Sequence, residues 1–113
     1  MFEGKDAAAA DLAAMAGAFR AAVEDWALTW GERRALLPAG GEDLATPPGD
    51  TEVRMRILIE VSRRLPCDDG DRLAEWLRDP AEALDWCSPL QAMSSSLPAL
   101  RRFRRFVEQG FDA

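Results

Sequence analysis

Over residues 7–27 the apolar side chains Leu12, Met15, Ala16, Phe19, Val23 and Trp26 fall on one helical face within an alanine-rich run. The spacing predicts a helix from Ala7 to about Ala27, with residues 1–6 frayed. Thr29-Trp30-Gly31-Glu32 has the form of a capping box, so a short helix follows over residues 32–37 and stops at Pro38. A long helix, a tight break and a short helix are how a helix-turn-helix begins.

The next stretch does not complete one. Residues 38–50 hold six Pro or Gly in thirteen positions, which predicts a loop with at most one helical turn around Glu42 to Leu44. A recognition helix needs an uninterrupted run with basic and polar side chains. Between Ala35 and Val53 there is no Lys or Arg, and Glu42, Asp43, Asp50 and Glu52 would repel phosphate. Tight DNA binding is therefore not expected.

Residues 52–65 fit two periods. Val53, Met55, Ile57, Ile59 and Val61 alternate as in a strand, while Val53, Ile57, Leu58, Val61 and Leu65 fit a helix. Fourteen residues is long for a strand, Asp50 or Thr51 can cap a helix, and no other segment offers a strand partner. The expectation is a central helix buried on more than one side. After a turn at residues 66–70, Asp69 caps a helix whose inner face is Leu73, Trp76, Leu77 and Pro80, and Pro80 ends it. Ser88-Pro89-Leu90-Gln91 is a second capping box, with proline at the first helical position. Beyond a Ser94-Ser95-Ser96 loop, Leu97, Leu100, Phe103 and Val107 form the inner stripe of a last helix. Gly110 is its expected C′ residue.

The fold class is thus all-α: a single compact domain of five to six helices. Its N-terminal half, residues 1–65, is degenerate and helix-turn-helix-like; its C-terminal half is residues 66–113. Length and composition agree. A chain of 113 residues, 48% hydrophobic with four Trp and five Phe, can bury a core. It has no histidine and no CxxC pair, which excludes the usual Cys/His zinc sites and Ser-His-Asp or Cys-His catalysis. No cofactor is expected. With no secretory segment or long apolar run, a cytoplasmic protein is expected, with Cys67 and Cys87 as free thiols packed as small apolar groups. Net charge is −6, against general affinity for nucleic acid or anionic membrane.

The densest charge cluster is Arg101, Arg102, Arg104 and Arg105. It reads as a solvated helix face partly neutralised by nearby acids, as an anchor for acidic side chains of a protein partner, or, against the acidic balance of the chain, as a contact for nucleic-acid phosphate. Asp68, Asp69 and Asp71 read as helix-cap chemistry rather than a metal site. Trp76 and Trp86 bracket the corner between the two helices, as core anchors or, for Trp86, as an exposed interface anchor.

Trp76-Leu77-Arg78-Asp79-Pro80, then Leu84, then Ser88-Pro89-Leu90 resembles the C-terminal toxin-binding segment of MbcA/ParS/Xre-type antitoxins. Ala81 stands where that family usually has asparagine, Asp85-Trp86 where it usually has a glycine pair, and Ser94 to Ser96 where a glycine is common. The resemblance covers roughly the last forty residues. It implies a non-enzymatic antitoxin whose C-terminal half binds a cognate RES-type toxin, a class that acts on NAD. Partner contacts are expected at Trp86, Ser88 and Pro89 and, from the charge cluster, at Arg101, Arg102, Arg104 and Arg105. In that family the chain's end lies against the toxin, which here implies Phe111, Asp112 and Ala113. A homodimer stays open. So do two other classes: a DNA-binding regulator, and a helical interaction module without a toxin.

Overall fold

The structure is a computed structural model that describes residues 3–41, 47–65 and 70–109, with side chains described at residues 14–41, 47–65 and 71–109. Six α-helices follow one another among these residues: α1 Glu3–Glu24, α2 Trp30–Leu36, α3 Thr51–Arg64, α4 Gly70–Arg78, α5 Pro89–Ser94 and α6 Leu97–Glu108. One 3-10 turn, Glu82–Leu84, lies between α4 and α5. The all-α reading holds. The turn around Glu42 to Leu44, the cap at Asp69, Cys67 and Gly110 lie outside the described residues.

α1 differs from expectation at both ends. It starts at Glu3 rather than Ala7. It ends at Glu24 because the chain tightens there. The Trp26 N–H donates to the Val23 carbonyl at 3.1 Å, the Ala27 N–H to Glu24 at 3.3 Å, and Ala27 turns left-handed at φ 51°. This reversal buries the Trp26 indole fully and delivers Thr29 to its capping position. The box then closes as its sequence requires: the Glu32 N–H donates to Thr29 Oγ1 at 3.1 Å and the Thr29 N–H to Glu32 Oε1 at 2.9 Å.

α3 is the central helix, packed against α1 on one side and α6 on another. Met55, Ile57, Leu58, Ile59 and Val61 are buried around it, but Val53, one turn from its start, is exposed. Neither expected cap forms a side-chain cap bond. Asp50 occupies the N-cap position, and its Oδ2 lies 2.9 Å from Nε of the buried Arg54 instead. Thr51 is fully buried and its hydroxyl donates to the Gly40 carbonyl at 2.8 Å, pinning together the two ends of the intervening loop.

Met15, Phe19, Trp26, Leu58, Leu77, Met93, Leu100 and Phe103 belong to one buried cluster, so residues 1–65 and 66–113 share a core. On α4, Leu73 and Leu77 are buried, but Trp76 is half-buried and Pro80 exposed. The Asp79 N–H bonds to the Trp76 carbonyl at 3.2 Å, closing the helix and swinging Pro80 off its inner face. α6 begins at Ser96, whose Oγ accepts from the Ala99 N–H at 3.1 Å, and it buries Leu100, Phe103 and Val107.

Candidate interaction site at the α4–α5 corner

The corner is built by backbone hydrogen bonds within seven residues. The Ala81 N–H donates to the Cys87 carbonyl at 3.1 Å, as the Trp86 N–H does to the Ala81 carbonyl at 2.9 Å. Leu84, Asp85 and Cys87 close the 3-10 turn with bonds of 3.0 Å each. Accommodating this, Asp85 (φ 54°) and Trp86 (φ 65°) both adopt the left-handed region that glycine favours. Trp86 is thrown outward and is 68% exposed.

Behind the turn, the second capping box forms: the Gln91 N–H donates to Ser88 Oγ at 3.2 Å and the Ser88 N–H to Gln91 Oε1 at 2.8 Å. Ser88 and Pro89 are therefore buried. They fix where α5 starts: the hydroxyl accepts the Gln91 N–H and the proline ring lies inside. Cys87 is a free thiol as expected, but it is exposed rather than packed, since the turn directs it outward beside Trp86.

A second element holds the corner to the N-terminal half. Arg78 grips the Glu32 carboxylate with two prongs, Nε to Oε2 at 3.0 Å and NH2 to Oε1 at 2.7 Å. The same guanidinium donates to the Ala27 carbonyl at 2.9 Å and to Ala74 at 2.7 Å. Burial pushes the Glu32 carboxyl up, but the hydrogen bond and charge of Arg78 together with the Thr29 N–H outweigh it, and its pKa lies below 4.5. The latch floors a groove of about 470 Å³ between α2 and the corner, lined also by Gly31, Ala35, Pro80 and Gln91. The two charges facing that groove satisfy each other.

The four arginines divide by helical position. Arg104 faces α3 and is paired with Glu60 at 3.3 Å and with Glu108 at 3.8 Å. Arg101, Arg102 and Arg105 are exposed and form no ion pair with a described residue. Arg102 lies on the flank toward the corner, while Arg101 and Arg105 point away from the core. Between the corner turn and α6 runs a groove of about 380 Å³. Phe111, Asp112 and Ala113 lie outside the described residues.

Sequence reasoning missed the latch and this groove. The capping box announced Glu32 as a cap, but nothing local announced its second partner 46 residues away. Nor does the capping box announce that Trp30 is 73% exposed, with the Arg34 guanidinium 5.8 Å from its ring.

Among the described residues no group of three or more His, Cys, Asp or Glu could hold a metal ion, and no helix is long and apolar enough to cross a membrane. No protein-family model, curated protein or solved structure matches the chain.

Proposed function

We propose that the chain is the antitoxin of a type II toxin–antitoxin pair, which binds and neutralises a RES-type NAD-degrading toxin through its C-terminal half. The observation that carries this reading is the left-handed backbone at Asp85 and Trp86. These are the two positions at which the resembled antitoxins usually have glycine, the residue such a backbone favours. The rest of the resembling motif supports it. Leu77 fills the core, Arg78 forms the latch, and Ser88 and Pro89 start α5, so the motif describes the shape of one corner.

On this reading the surface left for the toxin is the outer face of α6, with Arg101 and Arg105 ready to meet acidic side chains. The last residues, Phe111, Asp112 and the Ala113 carboxylate, join it. A toxin site that holds the NAD pyrophosphate must offer cationic or N–H donors, which an acidic tail can occupy. The protein then performs no chemistry itself and acts in the cytoplasm.

The test is to look for a RES-domain reading frame beside this chain's gene and to co-express its product with the chain; an isolated gene counts against the reading. Growth should be restored, cellular NAD retained, and the two proteins should purify together. NAD loss undiminished by this chain, or failure to co-purify, overturns the reading.

A further inference from the structure

The groove between the corner turn and α6 has a mostly apolar lining that includes Leu84, Cys87, Ala99, Phe103 and Phe106. Its two lips carry opposite charge, Asp85 on the turn and Arg102 on α6, and no ion pair joins them within the chain. Trp86 stands next to Asp85, yet it does not line this groove and projects into solvent. One patch thus presents a large exposed anchor, an apolar slot, and a separated carboxylate and guanidinium.

We propose that the slot receives Trp86 of a second copy of this chain across a two-fold axis, making the protein a homodimer. A two-fold interface must be self-complementary, each feature of the patch meeting its complement on the same patch. Adjacency in sequence supplies this. When the indole of one copy enters the slot of the other, over Phe103 and Phe106, its neighbour Asp85 arrives at the lip where Arg102 waits. The reciprocal pair forms at the same time. The left-handed backbone at residues 85 and 86 holds the indole outward, so little ordering of that side chain is needed on association. A polyanion suits the slot less well, because Asp85 and the chain's net charge of −6 oppose it. A buried tryptophan ringed by a charge pair is the usual make-up of an interface hot spot.

This inference does not depend on the toxin reading and is tested on the full chain alone. Sedimentation equilibrium between about 1 and 200 μM chain should show a monomer–dimer equilibrium, with no higher species. Trp86→Ala should weaken it about tenfold or more, and so should Arg102→Asp. Asp85→Lys alone should weaken it, and the double variant Asp85→Lys/Arg102→Asp should restore much of it, because the swapped charges meet again. Asp85→Asn, which tolerates the left-handed backbone, provides a milder single change in the same direction. Circular dichroism melts confirm that each variant is folded. A wild-type monomer across the range overturns the proposal. So does a dimer indifferent to Trp86→Ala, or a double variant no better than its single parents.

Discussion

Arg78 and Glu32 lie 46 residues apart and meet in a two-pronged ion pair, closed at 2.7 Å and 3.0 Å. Through the same guanidinium, the end of α4 also holds the left-handed Ala27 carbonyl at the end of α1. One side chain thus ties the corner to the break between α1 and α2.

Removing that side chain should cost about 1–2 kcal/mol, mostly from a stranded, partly buried carboxylate. The Coulombic share is small, because the pair is about a third exposed and screened by solvent. Arg78→Lys should recover only part of the loss, since an ammonium lacks the planar fork. Urea denaturation of Arg78→Ala and Arg78→Lys beside the wild type measures both.

Acid should release the latch. The folded Glu32 pKa lies below its ordinary 4.5, so the carboxylate contributes stability that is present above that value and lost as pH falls through the folded pKa. Stability of wild type minus Glu32→Gln should therefore be constant from pH 7 to about 5 and shrink below about 4.5. Denaturant midpoints taken down to about pH 3 follow it; a difference that grew on acidification would mean the carboxyl is not held down.

Ser88→Ala should destabilise the protein by about 1–2 kcal/mol, since it removes the side-chain half of a capping box in a buried setting. Ser96→Ala, which loses a single cap bond in a half-buried position, should cost about 1 kcal/mol or less. Comparing the two melts separates the corner cap from an ordinary one.

Glycine at the corner should be tolerated. Asp85→Gly relieves a left-handed non-glycine residue, a gain of about 1 kcal/mol offset in part by the looser unfolded chain. Trp86→Gly should behave alike, because an indole 68% exposed loses little burial. Measured at chain concentrations too low for association, neither melting temperature should fall by more than about 2 °C. A larger drop would place the indole in the fold's own packing.

The helices were legible because their signals are local. Both capping boxes formed as written, and the period of α3 was resolved by its length and the lack of a strand partner. What escaped depends on where the chain turns. Pro80 follows Leu77 at helical spacing, yet a turn closed at Asp79 takes it out of register and leaves it exposed. Trp76 is half-buried for a related reason: α6 covers one side of its ring, with Phe103 6.4 Å away. Of the expected contact residues, Trp86, Arg101, Arg102 and Arg105 are exposed, whereas Ser88 and Pro89 are buried in the cap. Distinguishing Arg104 from its neighbours required knowing that α3 brings Glu60 to it.

The position of α3 between α1 and α6 governs how the chain comes apart. Neither end of the sequence has an apolar face it can cover without that helix, so loosening one end exposes the surface supporting the other. Unfolding should be a single cooperative event, and the amides of α3 should exchange with solvent only when the whole molecule opens. The C-terminal half is then not a portable module: residues 66–113 cut from the rest lose the surface α6 rests on, and grafting them onto another protein would carry the sequence without its shape.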